Sequence, residues 1–450
     1  VSRLMVSISG IRGEVGETLT PQVIAKYTQA FGTYTRGGTV IVGRDSRVSG
    51  PFVSHLVKGC LLACGCKVID IGIVPTPTVQ LAIEHHHAQG GIAITASHNP
   101  VQWNGLKFMG ANGRFLSPKD ANTVYAMGDK GTLTLAGWEK LGSEITDPDA
   151  NRRHIDAVLK LSYVKAEKIR AKKFKVVVDT VNGAGGLIIP QLLEALGCEV
   201  TVINGEPNGR FAHTPEPLPK NIGQLCETVK EKGADVGFAV DPDVDRCAIV
   251  DNLGKPIGEE YTLVLATKLI FSKKMGRMAV NMSTSRASED IARYYNCMFE
   301  RSKVGEINVA EKMLELEAII GGEGNGGVIL PELHLGRDAP VAVALTLQHL
   351  MEFGGALHEL FLSMPQYKMV KEKVSIEGMD PDKVLATMAE KYKDENVNLL
   401  DGVKIDFDDS WVHLRKSNTE PIVRVMSEAA TEEAAQKLAN HFMQEIKQLM

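Results

Sequence analysis

The 450-residue chain lacks the features of several broad protein classes. It has seven cysteines, an odd number, and Cys60, Cys64, Cys66, Cys198, Cys226, Cys247 and Cys297 form neither a CxxC pair nor paired metal spacing. A disulfide-stapled scaffold is thereby disfavoured, and buried thiols in a reducing compartment are expected. No apolar run reaches the ~18 residues needed to cross a bilayer, and the first residues lack a charged-then-apolar signal pattern. The net charge of −5 is mild for this length and gives no sign of a nucleic-acid partner or a basic membrane-binding surface. A cytoplasmic protein with no nucleic-acid or membrane partner is expected. The histidine tract Glu84-His85-His86-His87 closes a helix, where solvated histidines suit the helix dipole and need no metal.

What is present is globular: 44% hydrophobic and 23% charged residues, over a length that fits three or four domains. Three segments share one grammar of apolar β-branched strand, small or polar turn, helix, then Cys and a second strand. They begin at Thr39-Val-Ile-Val-Gly-Arg-Asp-Ser-Arg47, Lys175-Val-Val-Val-Asp-Thr-Val-Asn-Gly183 and Met278-Ala-Val-Asn-Met-Ser-Thr-Ser-Arg286. Strand, helix, strand at this spacing is a βαβ unit, so the fold class is α/β with three related domains, each carrying a mixed, mostly parallel sheet. From about Gln366 the pattern changes to a smaller α+β domain. It has an alternating strand at Val370–Ser375, a helix from Asp380 to Lys391, strands near Val403–Phe407 and Trp411–Leu414, and a closing amphipathic helix from Thr431 to Met450. The expected domains are 1–150, 151–256, 257–365 and 366–450.

Each α/β copy has a further apolar segment ending in a loop of unusual composition: Thr95-Ala-Ser-His-Asn-Pro100, Asp241-Pro-Asp-Val-Asp-Arg246 and Gly322-Glu-Gly-Asn-Gly-Gly327. Ligands of open α/β sheets bind beyond the carboxyl ends of strands, so three equivalent loops are expected to face one cleft.

Asp241, Asp243 and Asp245 alternate, a pattern that can aim three carboxylates at one hard cation. An EF-hand is excluded, because Arg246 and Asn252 stand where that loop needs glycine and glutamate. Thr95–Pro100 reads either as a strand-ending turn or as a loop presenting the Ser97 hydroxyl. A nucleophile elbow needs G-x-S-x-G, which is absent, whereas a phosphate-carrying serine facing a metal loop fits. In the last domain Arg415, Ser417, Asn418, Thr419 and Arg424 gather donors suited to phosphate, read as one irregular loop. Glu323 and Asn325 lie on a glycine-rich backbone that suits paired sugar hydroxyls but needs no ligand.

Taken together, TASHNP, DPDVDR, GEGNGG and Arg415-Lys-Ser-Asn-Thr-Glu-Pro-Ile-Val-Arg-Val425 resemble the motifs of the α-D-phosphohexomutase family, in the family's order. SGIRG at Ser9–Gly13 and NGLK at Asn104–Lys107 support the match. The resemblance implies four domains around a central cleft and a phosphoserine at Ser97. It implies Mg2+ held by Asp241, Asp243, Asp245 and a phosphoserine oxygen, sugar contacts from Glu323 and Asn325, and a phosphate site at Arg415, Ser417, Asn418, Thr419 and Arg424. Arg12, Lys107, Arg246 and Lys303 match basic positions near the transferred phosphoryl group, and His98 is a neighbour that shapes the Ser97 loop. Two departures stand out. Asn325 and Gly327 replace a frequent Ser and His, and Pro242 and Val244 replace frequent glycines, stiffening the metal loop.

The implied activity moves phosphate between the 1 and 6 positions of a hexose phosphate through phospho-Ser97 and a hexose 1,6-bisphosphate, by a monomer or homodimer. Lys107 is the candidate acid/base, on the ground that a lysine among cations has a lowered pKa; a purely electrostatic role is the alternative. Ile422–Met426 and the following Ser-Glu-Ala resemble the phosphoglucosamine mutase branch, so glucosamine phosphate is favoured over glucose or mannose phosphate. The rival readings are a metal-dependent phosphatase and a non-catalytic sugar-phosphate sensor.

Overall fold

The structure, a computed structural model, describes residues 3–417 and 421–449. The chain forms two compact units: a larger one that runs to Thr262 and takes in Gly326–Phe361, and a smaller one made of Leu263–Asn325 and the chain from Leu362 onward.

In the larger unit the first repeat builds a seven-stranded sheet ordered Met5–Ser7, Gly10–Glu14, Trp103–Gly110, Gly90–Ile94, Thr39–Arg44, Lys67–Ile73 and Ser143–Thr146. The last four run parallel, as the βαβ reading requires, and the others are antiparallel. Helices Pro21–Tyr34, Gly50–Ala63 and Pro118–Lys130 supply Phe31, Val57, Leu61 and Val124 to a core shared with Val40, Val42, Ile92 and Phe108. Phe31 and Phe108 stack with ring centroids 5.0 Å apart. The second repeat makes a four-stranded sheet ordered Cys247–Asp251, Val236–Val240, Lys175–Asp179 and Glu199–Ile203. Strand Val236–Val240 is parallel to Lys175–Asp179 and forms a hairpin with Cys247–Asp251, so Asp241–Arg246 is the hairpin's loop.

Helix Ala339–Phe353 returns to this unit and packs on helix Ala150–Leu159. Asp338 caps it by accepting the Val341 N–H, and its second oxygen meets His154 Nε2 at 2.8 Å and His334 Nε2 at 2.9 Å. Burial opposes the Asp338 charge, but the two imidazoles hold its carboxyl well below the usual range.

In the smaller unit, strands Met298–Ser302, Arg277–Asn281 and Ile320–Glu323 are parallel, completing the third repeat. A five-stranded antiparallel sheet follows, ordered Lys368–Ser375, Ile422–Ala429, Trp411–Lys416, Val403–Asp406 and Asn396–Asn398. One face of it, with Val403, Ile405, Val412, Leu414, Val423 and Val425, buries helices Pro381–Lys391 and Glu432–Gln448. Asp380 and Thr431, read as helix starts, are their N-caps. The other face is polar and partly buried: Trp411 Nε1 donates to Glu428, which also accepts the Arg286 amide.

The stretch Arg415–Arg424 is not one irregular loop. Arg415 and Lys416 end one strand and Ile422–Arg424 begin the next, with Arg415 directly opposite Arg424 in the ladder. The alternation Ile-Val-Arg-Val-Met, with Val423 and Val425 in the core, makes the segment from Ile422 a strand. All seven cysteines are free, and burial pushes the thiols of Cys64 and Cys198 up to about 12.

His413, fully buried on the same strand as Arg415, carries a pH dependence. Its Nε2 must donate to the Asp401 carbonyl, 2.6 Å away, so in the neutral ring Nδ1 accepts from Ser283 Oγ at 2.9 Å. Burial, with Lys404 and Arg415 nearby and Asp401 opposing them, depresses its pKa to about 4. Between an unfolded value near 6.5 and about 4, only the unfolded chain takes up this proton, so stability falls on acidification, by up to about 3 kcal/mol. Urea midpoints measured between pH 7 and pH 4.5 are expected to drop less in His413→Gln than in the parent; equal slopes would refute the assignment.

Candidate active site

Strand Gly90–Ile94 is buried on both faces, which explains its unbroken apolar run, and it delivers Thr95–Pro100 at its carboxyl end. Ser97 stands there at φ +49°, a left-handed conformation that costs a non-glycine residue about 1 kcal/mol or more. The bonds that hold it come largely from a pair that sequence reading passed over. Asp45 and Arg47, at the end of the neighbouring strand, form a fully buried ion pair at 3.0 Å. The remaining Arg47 donors reach the carbonyls of Ser97, Asn99, Pro100 and Trp103 at 2.6–2.8 Å. Asp45 also accepts from Thr95 Oγ1, which in turn accepts the Ser97 N–H. The signal was Arg44-Asp-Ser-Arg47 itself: charges placed directly after a buried parallel strand.

Ser97 Oγ lies 3.1 Å from Asp241 Oδ2 and 3.4 Å from His98 Nδ1. Burial, with Arg246 and Arg12 close by, pushes His98 well below its ordinary value and keeps the imidazole neutral. Arg12 Nη1 donates to Asn99 Oδ1 at 3.1 Å, tying the N-terminal hairpin to this loop.

The three aspartates are buried to 1% exposure or less, and one carboxylate oxygen from each falls within 4.8 Å of the others. Asp241 Oδ1 accepts the amides of Asp245 and Arg246, which folds the loop. Asp243 Oδ2 accepts from Thr76 Oγ1 and Lys107 Nζ, both at 2.6 Å, and Asp245 Oδ2 accepts from Arg337 at 2.6 Å. Asp243 Oδ1 and Asp245 Oδ1 are buried without a hydrogen-bond partner. Burial and the adjacent Asp245 and Asp243 push Asp241 well above the usual carboxylate range, whereas Lys107 and Thr76 overcome burial and hold Asp243 well below it. Crowded carboxylates with unpaired oxygens fit a hard divalent cation.

Loop and surroundings are close-fitting. Val244 sits at φ +60°, where the glycine frequent in the resembling family would carry no strain, and its fully buried side chain offsets that cost. Ala184 donates to the Pro242 carbonyl, and a Cβ on Gly183 would lie 2.8 Å from Pro242 Cα, so the second repeat's first turn must carry glycine there.

Lys107 differs from expectation in its surroundings. Burial would lower its pKa, but Asp243 at 2.6 Å and Asp245 at 3.6 Å hold the ammonium charged, above its ordinary value. Arg246 lies 3.6 Å from Glu216 and 3.7 Å from Asp245. The larger unit thus brings together Ser97, His98, Arg12, Lys107, Arg246 and the triad, and adds Thr76, Arg337 and Arg47.

The smaller unit carries the rest. Glu323 Oε1 accepts from Asn281 Nδ2 at 2.8 Å and the Gly305 amide at 2.9 Å; Asn325 Nδ2 reaches its other oxygen at 3.5 Å, and Asn325 Oδ1 is buried without a hydrogen-bond partner. Lys303 follows strand Met298–Ser302, and Arg415 Nε donates to Asp401 at 3.2 Å. Ser417 donates its amide to Ile422 across the hairpin end. Asn418 and Thr419 lie outside the described residues.

Four family models match along this chain. Phosphoglucomutase/phosphomannomutase alpha/beta/alpha domains I, II and III match residues 3–134, 152–254 and 258–367, and the C-terminal domain matches residues 373–445. The chain is similar to a phosphoglucomutase/phosphomannomutase of Thermococcus kodakarensis, 40% identical over 437 residues that cover 95% of each chain. It is 36% identical over 439 residues to a probable phosphoglucosamine mutase of Methanopyrus kandleri, covering 97% of this chain and 96% of that one. A solved structure of a phosphoglucomutase/phosphomannomutase family protein from Burkholderia thailandensis is similar with a TM-score of 0.86 at 25% identity, covering 98% of both chains.

Arg47→Ala strands Asp45 as a buried unpaired charge and is expected to cost about 3–5 kcal/mol of unfolding stability. A urea midpoint shift equivalent to less than about 1 kcal/mol would show that the Ser97 loop holds itself. Mg2+ at ~100 times its Kd is expected to add about 2.7 kcal/mol, seen as a raised melting temperature that EDTA reverses. Asp243→Asn is expected to remove most of that gain; an unchanged gain would place the cation elsewhere.

Proposed function

Because the chain belongs to the α-D-phosphohexomutase family, typified by phosphoglucomutase/phosphomannomutase, we propose that Ser97, as phosphoserine, is the group through which it exchanges phosphate with a hexose phosphate. The observation that carries this reading is the 3.1 Å approach of Ser97 Oγ to Asp241, inside a buried carboxylate triad with unpaired oxygens. The chain is a phosphohexomutase, and its triad offers a metal site.

In this reading the phosphorus–oxygen bond to Ser97 breaks as a new one forms to the free 1- or 6-hydroxyl of the sugar, whose proton ends on the Ser97 oxygen, giving a hexose 1,6-bisphosphate. The bisphosphate turns around and returns its other phosphate to Ser97. Asp241, Asp243 and Asp245 would hold Mg2+, which when bound would supply Lewis-acid stabilisation of phosphoryl oxygens. Lys107, Arg12 and Arg246 add fixed positive charge around a largely dissociative transition state, where positioning and electrostatics carry most of the catalysis. The five-donor grip of Arg47 holds the Ser97 backbone so that little reorganisation is needed. Lys107 is charged while Asp243 and Asp245 face it; a cation that claims those carboxylates is the condition under which Lys107 could exchange a proton.

Glu323 and Asn325 are read as contacts to sugar hydroxyls, Lys303 as a contact near the transferred phosphate, and Arg415, Ser417, Asn418, Thr419 and Arg424 as the grip on the phosphate that is not reacting. The directly opposed Arg415 and Arg424 support the last assignment, since cross-strand neighbours share a face. Glucosamine phosphate is the favoured substrate. The curated relatives include proteins named phosphoglucosamine mutase as well as phosphoglucomutase/phosphomannomutase.

Ser97→Ala is expected to abolish interconversion while sugar-phosphate binding persists; retained interconversion would overturn the phosphoserine reading. Phosphate release from the parent enzyme in place of isomer formation would instead favour a phosphatase. Steady-state rates on glucosamine, glucose, mannose and N-acetylglucosamine phosphates are expected to favour glucosamine, and a large preference for glucose would overturn that choice.

A further inference from the structure

Asp401 sits in the turn between strands Asn396–Asn398 and Val403–Asp406, and both recorded bonds of its carboxylate leave that turn. Oδ1 accepts from Arg415 Nε at 3.2 Å and Oδ2 accepts the Val304 N–H at 2.9 Å. The next amide, that of Gly305, is taken by Glu323 Oε1 at 2.9 Å. Two consecutive amides of the Lys303–Gly305 turn are therefore held by two carboxylates, one beside the hairpin arginine and one in the glycine-rich loop. Gly305, at φ +118°, provides the backbone conformation that this requires.

Asp401 is itself fixed without help from Arg415. Its carbonyl accepts from the buried His413, and the next residue, Gly402, has φ +78° and would place a Cβ 2.2 Å from the Leu414 carbonyl oxygen. No other residue type lets this turn close so tightly on the Arg415 strand. The bond to Arg415 uses Nε alone, so the two terminal amino groups, the pair suited to a bidentate hold on phosphate, take no part in it.

We infer that Asp401 is a positioning residue that fixes the Arg415 guanidinium for phosphate and ties it, through the Val304 and Gly305 amides, to Lys303 and Glu323. The inference rests on the reading of the hairpin as the grip on the non-reacting phosphate. That phosphate is held in both orientations of the sugar, so the effect of Asp401 falls equally on hexose 1-phosphate and hexose 6-phosphate. It falls on KM far more than on kcat, because Asp401 touches neither the reacting atoms nor the metal triad.

The test is a double-mutant cycle of Asp401→Ala and Arg415→Ala on the full-length enzyme, with melting temperatures recorded throughout. Asp401→Ala is expected to raise KM about tenfold for both isomers and change kcat less than about threefold, in line with loss of a charged hydrogen bond. In the Arg415→Ala background the same change is expected to add less than about twofold, since the pair acts as one unit. Asp401→Asn, which keeps the size and an acceptor oxygen, is expected to fall between and decides the matter if the alanine variant melts early. An unchanged KM in Asp401→Asn and Asp401→Ala, or full additivity with Arg415→Ala, would overturn the role of Asp401. An unchanged KM in Arg415→Ala would overturn the phosphate-grip reading beneath it.

Discussion

Three buried carboxylates, with one oxygen of each within 4.8 Å of the others, are the constraint around which the larger unit is built. Each would be driven to neutrality on its own, since burial penalises the charged form and its neighbours repel it. The structure meets that cost with partners drawn from three distant stretches: Thr76 at a helix start, Lys107 on an antiparallel strand, and Arg337 just before a helix. Arg337 reaches Asp245 because its neighbour Asp338 is clamped by His154 and His334 and caps the helix behind it. The segment Gly326–Phe361 belongs to this unit although smaller-unit chain separates it from the rest, and the demand of Asp245 for a cation gives one physical reason for that return.

The serine loop answers a second cost with the same logic. A left-handed serine next to a carboxylate relaxes unless its surroundings over-determine it. Arg47 does so with a rigid fork that bonds four loop carbonyls and one carboxylate, a geometry that the flexible ammonium of lysine could not copy. Val244 is the counterpart in the metal loop: strained at φ +60°, wholly buried, and bonded through its carbonyl to Ala339. Strain on both loops means that their conformations are set before any ligand arrives, the condition for electrostatic stabilisation of transferred charge.

Much of this could be read from the sequence, for identifiable reasons. The βαβ repeats and the loops at Ser97 and Asp241 announce themselves because strand periodicity and loop composition are local signals, as are the capping residues Asp380 and Thr431. The partners were illegible because they are non-local. Nothing near Arg337 or Thr76 says that a carboxylate from the second repeat will arrive, and Arg47 looks like any surface arginine until its strand is known to be buried. The NGLK motif marks Lys107, but its neighbours Asp243 and Asp245 could not be read from it, since cations and carboxylates converge there from separate segments. Arg415–Arg424 reads as irregular from its polar residues, which mask the alternation of Val423, Arg424 and Val425.

The functional residues divide by chemistry as well as by unit. Around Ser97 carboxylates and cations dominate, beside the His98 imidazole and the Thr76 and Thr95 hydroxyls, chemistry that suits phosphate and metal. In the smaller unit Glu323 and Asn325 offer paired acceptor and amide, chemistry that suits hydroxyls or an amine. A reaction that treats the two ends of one sugar alike needs such a division, because contacts specific to one orientation at the transfer site would favour one isomer and slow the return. Discrimination among sugars then rests on groups that meet the ring, and its strength depends on how firmly they are referenced to the phosphate grip. The chain of bonds from Glu323 through the Gly305 and Val304 amides to Asp401 and Arg415 supplies that reference within a single unit. On the proposed reading of Glu323, Asn325 and Arg415, specificity would depend on the smaller unit's internal rigidity and would be separable from the transfer step proposed at Ser97.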